Sequence, residues 1–166
     1  MKKIASILIV FCLFSCGASK SGSELPGKRA LKGTWEVTNI SFIGAEGIYK
    51  AFLFDAADSA CFKGSEWVFI PNNASGRFTT NVSNSSCSIV NYRIIWSFFE
   101  SDNVKSFQFK YADERNRPQS KDKSGYRATI NELAKTNMTI TVPSTFEGKS
   151  FNVVMKFNKK SDNLNL

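Results

Sequence analysis

Val90-Asn91-Tyr92-Arg93-Ile94-Ile95-Trp96-Ser97-Phe98 is the stretch whose reading decides the fold. Val90, Tyr92, Ile94, Trp96 and Phe98 share one face, and Asn91, Arg93, Ile95 and Ser97 share the other. Alternation with a period of two marks a half-buried strand, because successive side chains leave a pleated backbone on opposite sides. The pattern continues downstream. Lys105, Phe107, Phe109 and Tyr111 oppose Ser106, Gln108 and Lys110; Tyr126, Ala128 and Ile130 oppose Arg127, Thr129 and Asn131. Met138, Ile140 and Val142 oppose Thr139 and Thr141, and Phe151, Val153, Met155 and Phe157 oppose Asn152, Lys156 and Asn158. Working back towards the N-terminus, strands are predicted at Thr34 to Phe42, Glu66 to Ile70 and Gly76 to Val82, with a hairpin turn at Pro71-Asn72-Asn73-Ala74-Ser75-Gly76 between the last two. No helical period holds over a long window. Eight antiparallel strands with one apolar and one polar face must cover the apolar side, and curling into a closed up-and-down barrel does so while removing the sheet edges. An open sandwich is the competing arrangement.

Two connections are too long for hairpins. Ile43 to Lys63 contains Ile48, Tyr49, Phe52, Leu53 and Phe54, and is expected to form a short helix or strand that closes one end of the barrel. Tyr111 to Ser124 is charged and reads as a solvated, mobile loop.

The N-terminus has a different character. Lys2 and Lys3 precede Ile4 to Phe14, which is apolar except for Ser6 and too short to span a bilayer. It ends in Leu13-Phe14-Ser15-Cys16, which resembles the lipobox of bacterial lipoproteins. That resemblance implies a signal peptide over residues 1–15, cleavage before Cys16, and a lipid such as palmitate on Cys16. An ordinary secretory signal with an incidental cysteine is the alternative. Residues 16–30, rich in Ser, Gly and Lys, read as a flexible tether, 31–160 as the barrel and 161–166 as a tail. Gly17 stands where an aspartate signals inner-membrane retention in such lipoproteins, so the outer membrane is the expected location.

The chain carries a formal charge of +8, and losing a leader with two lysines and no acid leaves about +6. Such a balance suits an anionic envelope surface, or serves solubility alone; an exported protein does not routinely meet nucleic acid. With Cys12 in the leader and Cys16 lipidated, Cys61 and Cys87 remain, either as one disulfide or as two unlinked thiols. Two cysteines and no histidine leave no set of zinc ligands.

Gly33-Thr34-Trp35 at the start of the first strand resembles the Gly-x-Trp opening of lipocalins. Cys61-Phe62-Lys63-Gly64-Ser65-Glu66-Trp67-Val68-Phe69, with the later Cys87, is similar to lipocalin-like lipoproteins of Bacteroidetes. The resemblance runs from Leu31 to Asn158 and implies an eight-stranded barrel around an apolar cavity. Trp35, Phe69, Tyr92, Trp96, Phe107, Phe109, Tyr126, Met138, Phe151 and Met155 are the candidate cavity-facing residues. No arginine stands near the last strand to pack on Trp35, as one does in animal lipocalins. The 15 phenylalanines also allow an interior filled by its own side chains.

Catalysis is poorly supported. Without histidine there is no His-based triad, and Gly-rich phosphate loops are absent. Asp55, Asp58 and Glu66 form the best carboxylate group, but at a spacing that matches no known calcium loop or acid–base pair. Asn-x-Ser/Thr matches at Asn39, Asn73, Asn81, Asn84 and Asn137 are composition only in a bacterial protein. The tyrosines Tyr92, Tyr111 and Tyr126 either orient a ligand head group or sit at a wet rim. The sequence therefore points to a monomeric, lipid-anchored non-enzyme without cofactor, binding a small hydrophobic or amphipathic ligand. Its alternative is a filled barrel that uses a basic surface to bind a protein, a glycan or lipopolysaccharide. The lipobox is checked directly: Cys16→Ala should abolish incorporation of labelled palmitate in a bacterial host, and persistent labelling would exclude Cys16 as the acceptor.

Overall fold

The computed structural model describes residues 27–44, 50–82, 85–102, 104–119 and 124–164. Cys16, the leader and most of the tether lie outside these residues. The described residues form ten strands: β1 (Gly33–Ile43), β2 (Phe52–Leu53), β3 (Ala57–Asp58), β4 (Glu66–Ile70), β5 (Ser75–Thr79), β6 (Asn91–Ser101), β7 (Val104–Tyr111), β8 (Tyr126–Leu133), β9 (Asn137–Phe146) and β10 (Lys149–Ser161). Eight of them close into an antiparallel barrel in the order β1-β10-β9-β8-β7-β6-β5-β4, and β2 and β3 form a separate small hairpin. The barrel is up-and-down, as the alternation predicts.

Closure depends on β1, which pairs with β10 along its length and with β4 only from Gly33 to Glu36. Gly33 makes the tight entry possible. Its φ is +119°, and a Cβ there would lie 2.2 Å from the carbonyl oxygen of Ser161 on β10. Beyond Glu36 the wall is continued by the long connection, where Val37 N–H donates to Ser65 O at 3.0 Å and Gly64 N–H to Val37 O at 2.7 Å.

Two bulges, beyond the register shift between Thr34 and Trp35 at the entry, keep apolar residues inside while the sheet curls. Between Val37 and Asn39 the register of β1 slips, so the inward phase changes from Trp35 and Val37 to Ile40, which packs partly buried against the core. A second slip between Ile130 and Glu132 moves β8 from Ile130 to Leu133. Pro143 sits in β9 opposite Asn152 of β10, beyond the last β9 residue paired with β8, so its missing N–H breaks no ladder bond on that side.

The base is sealed by a 3-10 turn, Lys28–Leu31, whose Leu31 is completely buried. The Trp35 indole N–H donates to Leu31 O at 2.9 Å. Lys159 of β10 holds its ammonium 5.0 Å from the centre of the Trp35 ring and donates to Asp162 at 2.9 Å. The cation sought as an arginine is thus a lysine, which serves because the contact needs charge over the ring face and no guanidinium fork.

Several boundaries differ from the alternation. β5 ends at Thr79, not Val82, because the Thr80 hydroxyl takes over the next ladder position: it accepts from Val90 N–H and donates to Ser88 O, both at 2.8 Å. Cys61 and Cys87 are joined by a disulfide across 26 residues. Cys87 lies in the connection before β6. The charged connection is ordered from Ala112 to Gln119, where Ala112 bridges Pro118 and Asp113 binds Arg117 through backbone and side chain; residues 120–123 lie outside the described set.

The disulfide restrains the closing segment in the unfolded chain as well. Replacing both Cys61 and Cys87 by serine should cost roughly 3 kcal/mol, read as a lower urea midpoint. Reductant should produce the same drop in the unmodified chain and none in the variant.

Candidate functional site

The barrel interior is a continuous aromatic cluster centred on Trp67. Its ring stacks on Phe78 at 4.5 Å between centroids and meets Phe109 and Phe157 edge-on at 5.9 and 5.8 Å. Phe69 joins this group to a second one, lying edge-on to Trp96 at 5.8 Å and to Phe107 at 5.6 Å. Trp35, Phe69, Trp96, Phe107, Phe109, Met138, Phe151 and Met155 are all buried in this core, while Tyr92 and Tyr126 are half-buried at its upper edge. The predicted inward face is therefore inward, and its rings lie against one another. All three indoles are satisfied within the protein: Trp67 N–H donates to Ser65 Oγ at 3.1 Å and Trp96 N–H to Ser75 O at 2.7 Å, beside the Trp35 bond to Leu31.

The mouth is closed by the connection after β1. Its β2–β3 hairpin carries Phe54 and Asp55 at the tip, with φ of 57° and 51°. Left-handed backbone is unfavourable for a bulky residue such as phenylalanine and persists only where surrounding contacts enforce it. Here those contacts are rings. Phe54 is 5% exposed and lies edge-on to Phe109 at 5.0 Å, Phe62 at 5.6 Å, Tyr126 at 5.7 Å and Trp67 at 6.0 Å. A loop side chain thus occupies the top of the barrel core.

Two tyrosines fasten this turn from the opposite wall. Tyr111 at the end of β7 donates its hydroxyl to Phe54 O, and Tyr126 at the start of β8 donates to Asp55 Oδ2 at 3.0 Å. Their rings pack together at 5.2 Å, with Tyr92 stacked on Tyr111 at 4.4 Å. The Tyr111 and Tyr126 hydroxyls hold the turn, the Tyr111 bond part-buried and the Tyr126 bond at the exposed rim. Burial, reinforced by the neighbouring phenols, drives Tyr111 far above the ordinary phenol range. Burial first, then the bond to Asp55, pushes Tyr126 up to about 12.

The three carboxylates considered for catalysis have separate roles. Asp55 receives Tyr126, Asp58 accepts Ala60 N–H at 2.9 Å to cap the 3-10 turn Ser59–Phe62, and Glu66 lies on the outer wall 3.8 Å from Arg77. Among the described residues no three metal-binding side chains come together. Phe54 was missed as a site residue because its apolar neighbours in the loop show no period; the signal available was only an apolar run inside an otherwise polar connection.

No protein-family model matches the chain, and no curated protein matches it in sequence. Among solved structures the barrel is similar to bovine odorant-binding protein, a lipocalin. Its complex with a selenium-containing odorant aligns at a TM-score of 0.45 and 15% identity, covering 86% of this chain and 78% of that one. Its complex with its natural ligand aligns at 0.44 and 16% identity, covering 84% and 77%. The protein from bovine nasal mucosa aligns at 0.43 and 14%, again covering 84% and 77%.

The tyrosine clasp has an alkaline signature. Both phenols are protonated in the folded chain at pH values where unfolded tyrosine, near pH 10, loses its proton. Stability should therefore be flat with respect to these groups below about pH 10 and fall as pH rises from there towards 12. Phenolate absorbance should show Tyr111 and Tyr126 ionising late, and Tyr126→Phe should remove one of these late steps.

Proposed function

We propose that the chain binds a small apolar or amphipathic molecule in the upper barrel, with the Phe54–Asp55 turn as its gate. The observation that carries this reading is the placement of Phe54. A ring from a two-strand hairpin outside the barrel ladder sits among Phe109, Tyr126 and Trp67 in a left-handed conformation. Withdrawing that turn relieves the backbone and opens a pocket lined by aromatic faces. A dry apolar cavity on the order of 150 Å³ suffices to take up a molecule the size of benzene. The mouth also presents apolar surface to an approaching ligand, with Ile43 59% and Phe52 67% exposed.

In the same reading the barrel is tethered to the bacterial envelope, at the outer membrane, through a lipid on Cys16. The support for the anchor is the Leu13-Phe14-Ser15-Cys16 stretch alone. A tether and a binding barrel together describe a protein that captures or carries a ligand close to a membrane surface.

Phe54→Ala is the test. If the native ring competes for the ligand's place, the variant should bind the fluorescent probe N-phenylnaphthylamine about tenfold more tightly, because the closed fraction no longer reduces the apparent affinity. Quenching of tryptophan emission should accompany binding, since Trp67 borders the vacated space. Native mass spectrometry of gently purified wild type should show added mass that disappears on denaturation. Absence of both probe binding in the variant and added mass in the wild type would overturn the proposal.

A further inference from the structure

The outer wall opposite the β1–β10 pair carries a band of cations that the barrel core does not require. Arg77 on β5 stands directly opposite Arg93 on β6. Arg93 and Lys110 are diagonal neighbours across β6 and β7, as are Lys110 and Arg127 across β7 and β8. Four strands at 4.7–4.9 Å spacing place these side chains along a line of about 15 Å. Like charges set opposite one another work against sheet pairing, so folding gives no reason for this arrangement.

The band borders two adjoining hollows. A groove of about 680 Å³ is lined by Asn73, Ile95, Ser97, Gln108, Lys110 and Arg127, among others. A smaller and more enclosed one of about 100 Å³ includes Arg77, Asn91 and Arg93. Asn116, at the tip of the ordered Ala112–Gln119 turn and itself left-handed at φ 56°, overhangs both and makes them continuous. Among the described residues no carboxylate lines either hollow. Arg77 forms an ion pair with Glu66 at 3.8 Å, Glu114 lies in a separate hollow on the far side of Arg93, and Asp113 is held by Arg117 at 2.7 Å.

Arg127 is held in position without being neutralised. Its guanidinium lies 4.8 Å from the centre of the Phe99 ring, and in the amide orientation that satisfies both groups it donates twice to Gln108, at 2.8 and 2.9 Å. Lys110 runs along Gly125, where an added Cβ would come within 2.9 Å of its Cγ. The site thus combines fixed cations with a floor of amides and a hydroxyl, groups that both donate and accept hydrogen bonds.

We propose that this outer groove binds an acidic oligosaccharide, a sugar chain carrying phosphate, sulfate or carboxylate groups. Guanidinium pairs suit the acid groups by bidentate hydrogen bonding. The Asn, Gln and Ser side chains suit sugar hydroxyls, which likewise donate and accept. A single-stranded nucleic acid fits less well, since it stacks successive bases on several exposed rings, and the ring beside the band, Phe99, though 45% exposed, carries Arg127 over one face. A peptide adding a strand finds no free edge on a closed barrel. The groove lies on the opposite side of the wall from Phe54, so the gated-barrel reading and this one stand or fall separately.

The test uses the chain as cells process it, held in a neutral detergent and titrated at low and high salt. The probes are dextran sulfate and oligogalacturonate as acidic sugars, neutral dextran as sugar without charge, and inorganic polyphosphate as charge without sugar. Both acidic sugars should bind, neutral dextran should not, and polyphosphate should bind more weakly at equal charge. Arg93→Gln with Arg127→Gln should weaken the acidic sugars by about tenfold or more, while Lys149→Gln with Lys156→Gln on the far wall should change binding by less than about twofold. Equal losses in the two pairs would mean attraction to net charge alone and overturn the site. Polyphosphate binding as tight as the acidic sugars, or no binding by either sugar, would overturn the ligand assignment.

Discussion

The burial of Trp67 is the constraint on which the rest of this barrel depends. Its indole meets Phe54 from the closing turn, Phe62 from the 3-10 turn, Phe69 from its own strand, Phe78 from β5, Phe109 from β7 and Phe157 from β10. Rings bury large apolar areas, and their preference for edge-on or offset stacking adds direction to what would otherwise be non-directional burial. One side chain therefore draws strands that are far apart in sequence, and the loop that closes them, onto a common centre. Its N–H bond to Ser65 places that centre beside the segment that completes the wall next to Val37.

From this centre two consequences run in opposite directions. Downward, the core continues through Phe69, Trp96 and Phe107 to a base sealed by Leu31 and by Lys159 over Trp35. Upward, the same apolar attraction seats Phe54 in a conformation its backbone does not favour, and two tyrosine hydroxyls hold it there. Hydrogen bonds and ring contacts on one side oppose backbone strain on the other, which makes the mouth the end of the barrel where small changes shift the balance.

The outside of the barrel follows a different logic. Closing the sheet removes its edges, so any recognition on this surface must use side chains and loops. Arg77, Arg93, Lys110 and Arg127 project from neighbouring strands, and the Ala112–Gln119 turn folds back to wall them in. Inner and outer faces of the same strands thus carry unrelated chemistry, as a period of two permits: β6 sends Trp96 into the core and Arg93 and Ile95 outward.

Much of the fold was legible because it rests on local alternation. Tyr92, Ile94, Trp96 and Phe98 announce their face without reference to any other strand, and Gly33 before Trp35 announces a tight entry. The sequence by itself determined the strand class, the inward set and the number of strands needed to close. It missed the phase slips at Val37 and Ile130, the early end of β5, and the lysine that serves Trp35, since each depends on what lies across the barrel. Whether the interior is hollow or filled was likewise a tertiary matter. Phe54 and Phe52 sit two residues apart in one apolar run, yet one is buried among rings and the other exposed. Only closure of the barrel, which brings β7 and β8 within reach of the β2–β3 turn, decides between them, because periodicity records the face of a strand and carries no information about where a loop ends.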